Sequence, residues 1–340
     1  MSRAVRSALL ALCVLGLVAH QAPPLAANSF GAEIARLSEP EGAFDTDNLI
    51  SNERSYLEVI PTLVAGGISG GAYIGVGPDQ NFSYIARIRP SVAYILDIRR
   101  DNLLLHLLFK ALFARAPTRV AYLALLTGRA PPPGPSTVWT SAPIERVVRY
   151  AADAPPLAGD RLSALRSDLR ATVRAFGVPL SAADFSTIER FHTAFIEHGL
   201  SLQFNSHGRP PRPQYPTLGD LILATDREGR TWHYLAAERD FQFVRELQSR
   251  DLIVPVVGDV SGPHALRAIG RAIAERGERV SAFYVSNVES YLYRDGAYGR
   301  FIANVNLLPR GTGSVMIRSM FGGVGSVSAV RPMHELVAGK

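Results

Sequence analysis

Apolar residues in this chain gather into short unbroken runs. Ala72-Tyr73-Ile74-Gly75-Val76-Gly77, Val92-Ala93-Tyr94-Ile95-Leu96, Leu252-Ile253-Val254-Pro255-Val256-Val257 and Ser281-Ala282-Phe283-Tyr284-Val285 are continuous rather than alternating. Strands buried on both faces of a parallel sheet require that pattern. Ser314-Val315-Met316-Ile317 reads as a weaker fifth strand, and no strong β-hairpin is expected after it. Helical spacing fills the gaps: 51–63, 81–88 (ended by Pro90), the leucine-rich 101–113, 238–249 and 265–276.

Strand, glycine turn, helix and strand in succession make a βαβ unit, and the last third of the chain repeats the alternation. The expected class is α/β, a Rossmann-like doubly wound and mostly parallel sheet with a helical insertion. Two Pro-rich stretches, 130–135 and 208–216, resist helix and sheet and read as connectors. They set the expected organisation. Residues 28–130 form the first half of the Rossmann-like domain, 131–236 a mostly helical insertion, and 237–340 the second half. A length of 340 residues suits two domains of about 150 residues or one large domain with an insertion.

Residues 1–27 read as an export signal or amino-terminal anchor. Arg3 and Arg6 supply the positive start, Ala8 to Ala19 the apolar run, and Ala26-Ala27 the small residues of a cleavage site. That run is shorter than the roughly 20 residues of a spanning helix. Cleavage would remove Cys13, the only cysteine, and leave no disulfide, thiolate metal site or cysteine nucleophile. The mature chain is then expected to be periplasmic or secreted and without a membrane span. A start site misplaced upstream would make it cytoplasmic instead.

An apolar fraction of 47% excludes wholesale disorder, and 19% charged residues argue against a coiled coil. The net charge of +6 is almost wholly arginine, since only Lys110 and Lys340 are lysines. No basic stripe of the kind that tracks phosphates is present, so no nucleic-acid partner is expected.

The candidate chemistry lies at the strand ends. Gly75 and Gly77 allow a tight turn and close ligand approach at the start of a helix. A dinucleotide fingerprint would need glycine at 80, where Gln80 stands. Asp97, Asp259 and Asn287 each follow a separate apolar run, so a parallel sheet would set all three on its carboxyl edge. Glu189 and His192 share a helix face but make only half of a di-metal carboxylate site, and no metal is expected. Ser261 lacks the flanking glycines of an esterase elbow.

These segments resemble class I S-adenosylmethionine-dependent methyltransferases. More closely, 45–53, the 71–81 turn, Asp97-Ile98-Arg99-Arg100-Asp101-Asn102 and Tyr284-Val285-Ser286-Asn287-Val288-Glu289 are similar to a bacterial family of unassigned function with that fold. The resemblance implies S-adenosyl-L-methionine as cofactor. Gly75 and Gly77 would lie beside its methionine part, with Asp79 in the same turn, Asp97 at the ribose and Asp259 near the adenine. Asn287 and Glu289 would face the methyl acceptor as the catalytic pair, and Tyr284 and Tyr291 would line the pocket. Two other readings of the same scaffold are an exported protein that binds a small ligand or partner without turnover, and a nucleotide-dependent oxidoreductase.

Overall fold

The continuous runs become strands of one sheet. A computed structural model describes residues 29–207, 212–322 and 325–337. The expected export segment, with Cys13, and part of the second Pro-rich connector lie outside the described residues. The strands are β1 (Ala72–Gly75), β2 (Val92–Asp97), β3 (Ile253–Val257), β4 (Val280–Ser286), β5 (Arg310–Gly322) and β6 (Gly325–Pro332). Their spatial order is β3-β2-β1-β4-β5-β6. Neighbours from β3 to β5 pair in parallel, and β5 pairs with β6 antiparallel. The class is α/β with a mostly parallel six-stranded sheet.

Two expectations are corrected. A hairpin does follow the fifth run, because β5 extends well beyond 314–317 and turns back as β6. β6 is an edge strand of mixed Ser and Val, half-buried along most of its length, with Val327 exposed. Such a strand has no reason to form an apolar run. Residues 51–63 are also not one helix. They form a 3-10 turn, Arg54–Leu57, and a short helix, Ile60–Ala65. Ser51 Oγ accepts the Glu53 N–H at 3.1 Å before the turn. Pro61 has no N–H to continue a helix through it, and stands in the first turn of the second.

β1 leads through the helix Gln80–Ile88 to β2, and β3 through Ala265–Glu275 to β4. Successive strands step outward from β1 to β3 on one side and from β4 to β6 on the other. The order therefore reverses between β1 and β4, and ligands of open α/β sheets sit outside the carboxyl ends at such a point. The β3 edge is blunted by Pro255. It is also covered by residues 38–39: the Glu39 N–H donates to the Val257 carbonyl at 2.9 Å, and Ser38 Oγ accepts the Val257 N–H at 3.1 Å.

Between β2 and β3 the elements are helical, among them Arg100–Arg115, Ile144–Asp153, Gly159–Ala175, Ala182–His198 and Leu218–Leu223. Leu165, Leu169, Phe191 and Ile222 from this stretch share one contiguous hydrophobic cluster with Ile74, Ile95 and Val254 of the sheet. Arg100 anchors it further, with Nε 2.9 Å from Oδ1 of Asp184 in the first turn of Ala182–His198. On that helix His192 donates from Nε2 to the Leu125 carbonyl at 3.0 Å, while Glu189 pairs with Arg166 at 3.5 Å. Their side chains thus have separate partners. Among the described residues no helix is long and apolar enough to cross a membrane.

Candidate functional site

The carboxyl ends of four strands enclose a cavity of about 330 Å³, within the range of small-molecule sites. Gly77 follows β1, Asp97 ends β2, Asp259 follows β3, and Ser286 with Asn287 closes β4. Loop residues 43–52 supply the opposite wall, where Phe44 meets Tyr291 edge to face at 5.2 Å between ring centroids. Four non-glycine residues among those described have left-handed backbones: Asn48, Arg89, Asp251 and Ser286. Two of them, Asn48 (φ 50°) and Ser286 (φ 53°), line this cavity. Such conformations cost of order 1–3 kcal/mol each and cluster where function requires them.

The two glycines of the turn do different things. A Cβ on Gly75 would lie 1.9 Å from Asn81 Oδ1, so Gly75 makes room for the Asn81 side chain and does not line the cavity. Asn81, fully buried, donates from Nδ2 to the carbonyls of Val76 (2.9 Å) and Pro78 (2.8 Å) and accepts from Tyr73 OH (2.8 Å). It holds the turn in shape. Gly77 does line the cavity, with φ 82°, a value for which glycine is suited. His106 Nε2 donates to its carbonyl at 3.0 Å. Burial pushes the His106 pKa down to about 4, so the ring is neutral at physiological pH. Asp79 is turned away from the cavity into the core, 3.2 Å from Tyr234 OH, and burial raises its pKa to about 6. Its place in the turn is therefore not a place on the cavity wall.

Asp97 stands on the cavity wall, but Arg99 holds its carboxylate from both sides: Nε to Oδ1 at 3.0 Å and Nη2 to Oδ2 at 2.9 Å. Asp259, also on the wall, accepts the N–H (2.7 Å) and hydroxyl (3.0 Å) of Ser261. Its own N–H donates to Glu39 at 2.8 Å. Glu39 further accepts the first N–H groups of the helix Ala265–Glu275, so that helix end is occupied by the chain's own carboxylate.

Asn287 stands at the N-cap position of the helix Val288–Arg294 without a side-chain capping bond, and lines the cavity; Glu289, two residues on, does not. Glu289 is buried against β5 in an ion pair with Arg318. The acid expected beside Asn287 is thus removed from the cavity by its position on the helix. Tyr291 is a lining residue, while Tyr284 lies beneath the floor.

The sequence reading missed the group under that floor. Glu53 is fully buried and accepts from Tyr284 OH (2.8 Å), Ser319 Oγ (2.5 Å) and Ser286 Oγ. Burial raises its pKa and the three hydroxyls oppose that. Gln80, which displaced the dinucleotide fingerprint, lines the cavity as well. Glu53 stands among Ser51, Asn52, Arg54 and Ser55, so nothing in its local sequence marks it as buried.

No curated protein matches the chain. A protein-family model matches residues 49–131 and 217–337, leaving out 132–216, where the elements are helical. The chain belongs to that family, whose description is Domain of unknown function (DUF7790).

Proposed function

We propose that this chain is methyltransferase-like, with a Rossmann-like sheet that binds an S-adenosyl ligand in the cavity at the strand ends. The observation that carries the reading is the shared rim. A left-handed glycine after β1, an acid at the end of β2 and an amide after β4 meet around one cavity of ligand size, beside the reversal of strand order. The order β3-β2-β1-β4-β5-β6 supports the Rossmann-like assignment, with an antiparallel closing strand in place of a sixth parallel one.

The residues present fit such a ligand. Gly77 leaves its side open, and Gln80 has a buried Oε1 without a partner. Gly77 and Gln80 would hold the amino-acid end, Asp97 a sugar hydroxyl and Asp259 the adenine edge, with Asn287 facing the acceptor. Asp97 already accepts three N–H groups of Arg99, one of them the backbone N–H at 3.0 Å. A carboxylate has about four acceptor positions, so it is suited to grip one hydroxyl. When bound, S-adenosylmethionine supplies an activated methyl on its sulfonium. The chain's own task is then to align the acceptor and exclude water.

A specific observation favours binding without turnover as the second reading: Glu289, the expected acid, is committed to Arg318. The oxidoreductase reading is the weaker, because Gln80 stands where the third glycine would be. Titration calorimetry with S-adenosylhomocysteine and with NAD tests the proposal. Saturable binding of the first in preference to the second is expected. Preference for NAD, or binding of neither, would overturn it.

A further inference from the structure

Glu53 is buried without a positive partner: among the described residues no lysine, arginine or histidine pairs with it. Its partners are the hydroxyls of Tyr284, Ser286 and Ser319. A hydroxyl has one hydrogen to give, and an ionised carboxylate accepts all three, Tyr284 and Ser319 on Oε2 and Ser286 on Oε1, so the three hydroxyls favour the charged form that burial opposes. Ser328 Oγ, 3.0 Å from Ser319 Oγ, is left to donate toward Ser319.

This accounting reaches the cavity wall. With its hydrogen committed to Glu53, Ser286 Oγ turns only lone pairs to the cavity. Asn287 Oδ1, 3.4 Å away, therefore receives no hydrogen from it. Tyr284 OH, committed in the same way, can only accept, and Gln80 Nε2 is 3.4 Å from it. That contact fixes the Gln80 amide with its oxygen free. Gln80 is only 4% exposed, and its Oε1 is buried without a partner. An unmet buried acceptor costs about 1–3 kcal/mol. The strand is also bent to aim Ser286: its pairing with β5 shifts register between Tyr284 and Ser286, and Ser286 has φ 53°. Bulges of this kind re-aim a side chain beside a site.

We propose that this wall is a subsite for a ligand amine, held as an ammonium by Ser286 Oγ, Gln80 Oε1 and Asn287 Oδ1, with Glu53 supplying the counter-charge one hydroxyl behind. An ammonium has three donors and no acceptor, which matches a wall made of acceptors. A carboxylate or phosphate would meet lone pairs and a buried negative charge. The inference rests on the adenosyl reading only for where the remainder of the ligand lies. The amine could be the amino-acid end of an adenosyl ligand or belong to a separate primary amine.

Calorimetry on the full chain and on its Glu53→Gln and Ser286→Ala variants separates these. The probes are S-adenosylhomocysteine, 5′-methylthioadenosine (the same nucleoside without the amino-acid end) and ethylamine, with propionate as the anionic control. Glu53→Gln keeps the size of the side chain and removes its charge; Ser286→Ala tests the same wall should the first variant fail to fold. A loss of about 10- to 100-fold for S-adenosylhomocysteine with methylthioadenosine unchanged makes the amine the ligand's own. Unchanged S-adenosylhomocysteine with loss of ethylamine binding makes it a separate amine. The subsite is overturned if no amine probe depends on Glu53 or Ser286, or if propionate binds in preference to ethylamine. Ethylamine binding without nucleoside binding would leave the subsite standing and remove the adenosyl reading. Nucleoside binding without amine dependence would do the reverse.

Discussion

Arg99 holds Asp97 at the rim of the cavity and, with the same guanidinium, reaches across to the loop opposite. Besides its two contacts with the carboxylate, its Nη1 donates to the carbonyls of Thr46 (2.9 Å) and Asp47 (2.8 Å). Both side chains are largely buried, at 6% and 11% exposure. Removing one member of such a pair leaves an uncompensated charge. Arg99→Met is expected to lower stability by about 3–5 kcal/mol, measured by urea unfolding, and to weaken ligand binding by releasing the loop. Unchanged stability would mean that the pair is not what fixes this rim.

Glu289 gives the opposite expectation. Its partner is Arg318 and it does not line the cavity. Glu289→Gln should lower stability by about 1–3 kcal/mol while leaving S-adenosylhomocysteine affinity unchanged. A selective loss of binding in a variant of normal stability would return this acid to the site.

The two glycines of the turn should separate folding from binding. A methyl group on Gly75 would meet Asn81 Oδ1 at 1.9 Å and Tyr73 at 2.8 Å, deep in the core. Gly75→Ala is therefore expected to cost about 1–3 kcal/mol or more. Gly77→Ala must adopt a left-handed backbone, at about 1–2 kcal/mol, and would press on Gln80 Nε2 at 3.0 Å. Melting curves should show the greater loss for Gly75→Ala, and calorimetry the greater loss of affinity per unit of lost stability for Gly77→Ala.

Two buried groups make opposing contributions to stability between about pH 4 and 6.5, and single variants separate them. Asp79 has a folded pKa of about 6 against an ordinary 3.8, because burial outweighs the hydrogen bond from Tyr234. A raised carboxyl contributes stability that is present below about pH 4 and lost as pH rises through about 6, by an amount of order 3 kcal/mol. Asp79→Asn should therefore be more stable than the parent at pH 8 and show no gain at pH 4. His106 runs the other way, with a folded pKa of about 4 against 6.5. Its contribution is present above pH 6.5 and lost as pH falls toward 4, so His106→Gln should flatten that limb. Urea unfolding across pH 4–8 reads both.

The central strands were legible because burial on both faces leaves a continuous apolar run, as in Ala93 to Leu96 and Ile253 to Val257. β6 was not, since an edge strand with Ser326, Val327 and Ser328 in succession has no such run to offer. Asp97, Asp259 and Asn287 could be placed at the strand ends from spacing alone. The direction of a side chain is not written in spacing. Asp79 turns inward to Tyr234, and Glu289 turns to a strand that the sequence had only half revealed. Glu53 was the least legible. Its significance comes from Tyr284, Ser286 and Ser319, more than two hundred residues away, which only the folded sheet brings to it.

The affinity of S-adenosylhomocysteine for Asp97→Ala beside the parent, with the fold of the variant verified by its melting curve, tests the central claim most directly. If the acid on the rim holds the ligand's sugar, a folded variant loses about tenfold or more in affinity. A folded variant that binds as tightly as the parent contradicts the site.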